Sequence, residues 1–125
     1  MTCVFCDIVQ LKAPATVVGE TFNNILIVPL NPVTPGHILV IPKAHVEDFS
    51  TNPFISASAM KAASEFVDKT DDPLYTSVNL ITSKGVEATQ SVFHLHLHIV
   101  PRKANDGLAL PWYSGKTKKK ELPHQ

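Results

Sequence analysis

The sequence predicts an α+β fold, with an antiparallel sheet and one main helix packed on one of its faces. Five short apolar segments bounded by turn-forming residues have the pattern of strands, and one longer segment has apolar residues at helical spacing. The long segment lies between the third and fourth strands, and the order β-β-β-α-β-β implies an antiparallel sheet. A length of 125 residues suits a single domain and leaves no room for two independent cores.

The first half of the chain supplies a short helix and three strands. Apolar residues at helical spacing predict a helical turn over residues 3–11. Residues 16–19 and 25–30 form two predicted strands separated by a turn. After a proline-containing loop, residues 38–41 are continuously apolar, which predicts a strand covered on both faces that Pro42 ends.

The second half supplies the long helix and two further strands. Asn52 is a suitable N-cap and Pro53 suits the first turn of a helix with an apolar stripe. That helix must end before Pro73, because the residue before a proline is pushed out of the helical region. Residues 75–82 and 92–100 are predicted strands joined by a loop longer than a tight hairpin.

Composition and charge exclude several classes of protein. Hydrophobic residues make up 44% and charged residues 18%, which excludes a disordered, collagen-like or fibrous chain. Eleven basic residues balance eleven acidic ones, so we expect no nucleic-acid partner and no membrane partner held by bulk charge. The longest apolar stretches fall far short of the roughly 20 residues that span a bilayer. No secretory leader is visible, so we expect reduced cysteines and a cytoplasmic location.

Three of the six histidines alternate with apolar residues near the end of the chain. On a strand, period-two alternation sends the apolar residues, from Phe93 onward, to the core face and His94, His96 and His98 to the other face. Residues two apart on a strand are about 6.6 Å apart, so neighbouring histidines can converge on one zinc ion with its nitrogens at about 2.1 Å. His94 and His98 are about 13 Å apart along the backbone, so binding of one ion by all three is not expected. The row favours separate roles, in which the histidine at one end binds a structural metal and the other histidines contact a substrate.

His96 is the predicted nucleophile of this row. A neutral imidazole attacks well near neutral pH, because its pKa is about 6.5 and one ring nitrogen keeps a lone pair. The other nitrogen must donate its proton to a fixed acceptor, which a backbone carbonyl can supply. Imidazoles on both sides of His96 place hydrogen-bond donors around an attacked phosphorus.

Cys3 and Cys6 form a Cys-x-x-Cys pair, which several kinds of site share. A thioredoxin-like redox pair follows a strand in a βαβ unit, whereas this pair opens the chain. Two unrelated buried thiols are a second interpretation. A zinc site is the third, and it needs two further ligands, for which histidine is suitable.

Two blocks of this sequence resemble the histidine-triad (HIT) family of nucleotide-binding hydrolases and transferases. The family signature His-φ-His-φ-His-φ-φ, in which φ is apolar, matches residues 94–100 without a break. Gln90-Ser91-Val92-Phe93 precedes the signature and Pro101-Arg102 follows it, as in the family. Upstream, the loop that ends at His37, the next strand with its Pro-Lys pair, and His45 look like the family's second block.

The resemblance implies a covalent reaction at phosphorus. In the family, the central histidine attacks the α-phosphorus of a nucleoside phosphoramidate or related phosphate ester, and water or another acceptor resolves the nucleotidyl-histidine. By position, His96 is the nucleophile and His98 contacts the phosphate. The backbone carbonyl of His94 orients the His96 ring, and His37 closes the site. The implied partner is a purine nucleotide or nucleoside phosphoramidate.

The resemblance also implies further substrate contacts, with two departures from the family. Gln90 and Ser91 supply polar contacts to the phosphate and the leaving group. Ser83 stands in the loop where an asparagine is usual. Pro29 stands where most members have an acidic residue for the ribose hydroxyls, so recognition of the ribose is altered or loose.

Apolar positions complete the implied substrate site. Phe5, Ile8 and Leu30 match positions that pack around the base in relatives. Trp112 stands where some dimeric relatives send an aromatic residue towards the partner's site, and the resemblance implies a homodimer.

A bacterial branch of the family binds structural zinc through a cysteine pair and two histidines. The matching residues are Cys3, Cys6, His45 and His94. Four protein ligands close the coordination sphere and leave no position for a zinc-bound water. Such a metal ties the N-terminus to the histidine strand and stabilises a small domain.

Together, these observations predict a HIT-like domain over residues 1–104 and a C-terminal extension or tail over residues 105–125. The predicted activity is hydrolysis or transfer of nucleoside monophosphate groups. A non-catalytic nucleotide-binding or sensing module with structural zinc is the alternative that the two departures favour. A metal-handling protein that uses the histidine row is a third, and it predicts more than one metal ion per chain.

Overall fold

The computed structural model describes residues 2–116, which form a five-stranded antiparallel sheet with a helix on each face. The strands and helices in chain order are α1 (Val4–Val9), β1 (Thr16–Glu20), β2 (Asn24–Val28), β3 (Ile38–Pro42), α2 (Pro53–Lys69), β4 (Val78–Ile81) and β5 (Leu97–Pro101). The strands lie in the order β1-β2-β3-β5-β4, and neighbouring strands are antiparallel. The predicted fold class is confirmed.

The central strand β3 is buried along its whole length, as its continuous apolar sequence predicts. Val40 belongs to the core under α2, whereas Leu39 belongs to a second core under α1. This alternation follows from the pleat, which points successive side chains to opposite faces. Both faces of the sheet are therefore covered near β3, and the metal-ligand candidates of α1 come to lie beside the end of this strand.

Local signals for the long helix are confirmed. The Asn52 side chain accepts hydrogen bonds from the N–H groups of Phe54 and Ile55, and Pro53 occupies the first position of α2. Alanines dominate the face of α2 that meets the sheet, and the buried ones are Ala59, Ala62 and Ala63. Small side chains let the helix approach β3 and β5 closely.

The predicted strand over residues 92–100 is wrong at its start, because β5 begins at Leu97. Before β5, the Leu95 N–H donates to a carbonyl in the loop after β3 (2.8 Å) instead of to a neighbouring strand. Phe93, which the alternation places on the core face, is 42% exposed. The chain departs from the strand path here because His94 turns inward and is completely buried.

Two other predicted strands are shortened. The strand predicted over residues 75–82 begins at Val78, because Pro73–Thr76 forms a 3-10 turn instead. Strand β2 ends at Val28, and Leu30, predicted to be its last residue, is 97% exposed.

An ion pair holds the segment after β5 against the sheet. The Arg102 guanidinium makes a two-pronged contact with the Asp106 carboxylate (2.7 and 3.0 Å) and also donates to the Asn79 side chain (2.7 Å). Arg102 thereby holds the pKa of Asp106 well below its usual range, since the hydrogen-bonded charge favours the carboxylate. Of the extension or tail predicted over residues 105–125, the part beyond residue 116 lies outside the described residues. Within residues 2–116, no helix combines the length and hydropathy that crossing a membrane requires.

Candidate active site and metal centre

Two thiols and two imidazoles converge beside the end of β3. Their potential ligand atoms, Cys3 Sγ, Cys6 Sγ, His45 Nδ1 and His94 Nδ1, all lie within 4.8 Å of one another. The five separations given by close contacts run from 3.1 Å between the two nitrogens to 3.5 Å between sulfur and nitrogen. A tetrahedral zinc ion with its usual bond lengths has ligands about 3.3–3.8 Å apart. The cluster therefore fits structural zinc, with four protein ligands.

Three separate segments bring these ligands together. Cys3 is the N-cap of α1, and its sulfur accepts a hydrogen bond from the Cys6 N–H (3.3 Å), so the two thiols lie one turn apart. His45 follows β3, and His94 precedes β5. The hydrogen bond from the Leu95 N–H to the loop after β3 fixes the last two segments side by side. A bound metal ion therefore joins α1 to both central strands.

His94 has a distinct partner at each of its polar atoms. Its Nε2–H donates to the Pro42 carbonyl (2.8 Å), which leaves Nδ1 unprotonated and free to bind a metal. Its backbone carbonyl accepts a hydrogen bond from His96 Nδ1–H (2.8 Å). His94 thus connects the metal centre to the neighbouring imidazole.

His96 has the tautomer that a nucleophile requires. Because Nδ1 carries the proton donated to His94, the lone pair of the neutral ring is on Nε2. No residue from 2 to 116 makes a hydrogen bond to that Nε2. The Phe5 ring packs edge-on against the imidazole, with centroids 5.0 Å apart. Burial lowers the pKa of His96, although the bond to His94 opposes the shift, so the neutral ring is favoured.

His98 and His37 form a second imidazole pair. His37 Nδ1 accepts from the Val33 N–H (3.1 Å), so the proton of the neutral ring is on Nε2 and is donated to His98 Nδ1 (3.0 Å). His98 therefore carries its own proton on Nε2. Burial, with smaller contributions from His96 and His37, lowers the pKa of His98 to about 4. His98 is a neutral hydrogen-bond donor over the physiological pH range.

The other predicted substrate contacts are dispersed. Gln90 is buried, and its amide bonds to backbone groups: it accepts from the Gly85 N–H (2.8 Å) and donates to two carbonyls. Ser91 is exposed and lines a cleft of about 670 Å³ next to Cys3 and His45, while Ser83 is half-buried in the loop after β4. Gln90 therefore stabilises the loop that precedes the three alternating histidines, through hydrogen bonds to backbone groups.

The apolar positions predicted to surround a base divide into two groups. Phe5 and Ile8, each 8% exposed, belong to the core under α1. Leu30 and Trp112 are 97% and 49% exposed, away from that core. Within one chain, these residues therefore do not form a single apolar pocket.

Sequence reasoning missed Thr82, whose hydroxyl donates to the backbone carbonyl of His96 (2.8 Å). It also missed Tyr75, whose hydroxyl donates to the Gly36 carbonyl (2.6 Å) next to His37. Both contacts join residues that are distant in sequence and that only the tertiary fold brings together. No local pattern could have identified them.

Comparison with known proteins identifies the same family that the sequence resembles. The family model for the HIT domain matches residues 10–105. A HIT-like protein of Mycoplasma genitalium is 38% identical over 123 residues, which cover 97% of this chain and 86% of the relative. The adenylylsulfatase HINT3 of Arabidopsis thaliana is 34% identical over 111 residues, which cover 85% of this chain and 55% of the relative.

Solved structures agree in fold and in sequence. A zinc-bound histidine triad family protein from Mycobacterium smegmatis is 38% identical, with a TM-score of 0.76 over 87% of this chain and 81% of that one. A HIT family hydrolase from Clostridium thermocellum is 35% identical, with a TM-score of 0.72 over 82% of this chain and 91% of that one. The chain belongs to the histidine-triad family.

Proposed function

We propose that this protein cleaves nucleoside 5′-phosphoramidates or related nucleotide esters through a covalent nucleotidyl-His96 intermediate. The observation that carries the proposal is the hydrogen bond from His96 Nδ1–H to the His94 carbonyl, because it leaves the Nε2 lone pair without a partner within residues 2–116. An imidazole in this state is a nucleophile that needs no separate base to remove a proton.

The reaction proceeds in two steps. His96 Nε2 attacks the α-phosphorus, the new N–P bond forms, and the bond from phosphorus to the leaving amine breaks. The amine departs with its electron pair and takes up a proton from solvent. Water then attacks the same phosphorus and releases one proton to solvent, the bond to Nε2 breaks and returns its electron pair to the ring, and the nucleoside monophosphate leaves while His96 returns to its neutral state.

His98 stabilises the negative charge that develops on the phosphoryl oxygens. Its Nε2–H is available as a donor because Nδ1 already accepts from His37. Its lowered pKa, about 4, keeps the ring neutral, so it does not act as a cation. His37 therefore acts on the phosphate through His98, by fixing which nitrogen of His98 carries the proton.

The metal centre has a structural part in this proposal. A bound zinc ion would supply rigid cross-linking, with Cys3, Cys6, His45 and His94 as its four ligands. The backbone carbonyl of His94 also holds the His96 ring. The residue that orients the nucleophile is therefore one that the metal centre fixes. Of the predicted polar contacts, Ser91 and Ser83 remain candidates for the leaving group and phosphate, because the Gln90 amide is engaged with backbone.

A homodimer forms part of the same proposal. The edge strand β4 exposes Leu80 and Ile81 by 38% and 40%, and Leu30 and Trp112 are also exposed. Exposed apolar side chains at an unpaired sheet edge favour association with another chain. A second copy would cover them and add apolar surface for a base that one chain does not enclose.

Steady-state hydrolysis of adenosine 5′-phosphoramidate tests the proposal. We expect turnover by the wild type, a loss of at least about 10³-fold in His96→Ala, and wild-type turnover in the matched control His124→Ala. Binding of adenosine monophosphate without turnover in any of the three proteins would contradict the enzyme and support the binding module, which the non-polar side chain of Pro29 favours.

A further inference from the structure

We propose that Thr82 is a positioning residue for the nucleophile, an inference that rests on the proposed role of His96. Thr82 follows the last residue of β4 and is half-buried. Its Oγ1–H donates to the backbone carbonyl of His96 (2.8 Å). The hydroxyl therefore holds the main chain of the residue whose ring attacks.

The contact lies where the strand ladder stops. The pairing of β4 with β5 runs from Val78 opposite Pro101 to Ile81 opposite His98, and it does not extend to His96. Among residues 2–116, no backbone N–H donates to the His96 carbonyl. The Thr82 hydroxyl donates to the His96 carbonyl at the position where backbone pairing ends. The chain therefore departs from the strand path while this carbonyl keeps a hydrogen-bond partner.

Departure from the strand path is what allows His96 to be a nucleophile of fixed tautomer. The ring of His96 folds back so that Nδ1–H reaches the carbonyl two residues earlier, in His94. The ring is then held at Nδ1 by the His94 carbonyl, and the Phe5 ring packs edge-on against it. Thr82 holds the third point, the carbonyl of the same residue, which limits rotation of the peptide that carries the ring.

Threonine suits this task. Its β-branched side chain has few χ1 conformers, so the hydroxyl direction is set by packing. Since the proton of Oγ1 is donated to His96, Thr82 acts through the nucleophile, and its loss should lower kcat more than it raises KM. A displacement of about 1 Å in a reacting group costs about 10²-fold in rate.

The test compares Thr82→Val, which keeps the shape and removes the hydroxyl, with Thr82→Ser, which keeps the hydroxyl. Thr76→Val is the matched control, because the Thr76 hydroxyl also donates to a backbone carbonyl (2.9 Å) but at an exposed turn. We expect kcat for adenosine 5′-phosphoramidate to fall about 10- to 100-fold in Thr82→Val with KM within about threefold. Thr82→Ser and Thr76→Val should keep kcat within about threefold of the wild type.

A second readout does not depend on turnover. Long-range proton–nitrogen NMR spectra of histidine-labelled protein at pH 8 report which nitrogen of neutral His96 carries the proton, with His96→Asn to assign the signal. We expect the Nδ1–H form in the wild type and in Thr82→Ser, and a mixture of both tautomers in Thr82→Val. If Thr82→Val does not fold, Thr82→Ala removes the same hydroxyl without the bulk of valine and is held to the same results.

Two results would overturn the inference: an unchanged kcat and tautomer in Thr82→Val, or equal losses in the valine and serine variants, which would assign the effect to packing. A wild type without turnover would refute the proposed function instead. In that case the tautomer of His96 in the Thr82 variants still decides whether Thr82 positions the ring.

Discussion

Replacing Cys6 by serine removes one of the four ligand atoms from the cluster beside β3. The loss should matter for stability because the ligands come from α1, from the loop after β3 and from the residues before β5. In the metal-free chain, burial together with the neighbouring Cys3 raises the pKa of Cys6 to about 11, so its thiol is protonated at neutral pH. Zinc binding must then release that proton, and zinc affinity should weaken as the pH falls.

The size of the effect follows from linkage. A ligand that binds only the folded chain and is present at 100 times its dissociation constant stabilises that chain by about 2.7 kcal/mol. For a domain of this size, about 4 °C of melting temperature corresponds to each kcal/mol. We therefore expect chelation of zinc from the wild type to lower the Tm by about 10 °C.

Calorimetry with and without a chelator, together with the zinc content of the purified protein, measures these quantities. Cys6→Ser should melt near the chelated wild type and hold less than one zinc ion per chain. Val4→Ser is the matched control, because Val4 lies between the two thiols in sequence, is exposed, and supplies no ligand atom. A wild type that melts at the same temperature with and without chelator, or a Cys6→Ser protein with full zinc content, would show the reasoning to be wrong.

Three further outcomes are expected in urea unfolding measurements. Gly36 and Gly85 both have positive φ (+85° and +92°), so alanine at either costs about 1–3 kcal/mol of unfolding free energy. Gly36→Ala should cost more, because its added Cβ would lie 3.0–3.2 Å from three side-chain atoms whereas that at Gly85 meets nothing within 4 Å; equal losses would contradict this. Asp106→Asn should lose about 3 kcal/mol, because it leaves the Arg102 charge, whose side chain is only 12% exposed, without its anion; an unchanged unfolding midpoint would count against it. Burial lowers the pKa of His98 to about 4. As the pH falls, this histidine is therefore protonated in the unfolded chain before it is protonated in the folded chain, so the free energy of unfolding should fall between about pH 6.5 and pH 4. His98→Asn should show a shallower fall between pH 7 and pH 5, and parallel profiles would refute the assignment.

Local features of the fold were predictable from the sequence. Asn52 and Pro53 mark the start of α2 because capping depends on a few adjacent residues. The apolar run of β3 predicts a strand covered on both sides, since burial on two faces leaves no polar alternation. The alternation of His96 and His98 with apolar residues correctly places Leu97 and Ile99 in the core.

The departures arise where tertiary contacts compete with local pattern. The period-two alternation begins at Phe93, yet β5 begins only at Leu97. The reason is that His94 turns into the ligand cluster, and that Thr82 bonds to the His96 carbonyl beyond the ladder. A sequence pattern contains neither the register of β4 against β5 nor the positions of ligands from other segments. The bonds of Gln90 to backbone groups were missed for the same reason.

Trapping the covalent intermediate tests the assignment of His96 most directly. Wild-type protein is mixed with adenosine 5′-phosphoramidate, quenched within milliseconds in denaturant at alkaline pH, and weighed intact before peptide fragmentation. We predict an added adenylyl group, lost on mild acid treatment as expected for a phosphorus–nitrogen bond, carried by the peptide that contains His96 and absent in His96→Ala. Turnover with no adduct at any quench time, or an adduct on another residue, would contradict the assignment.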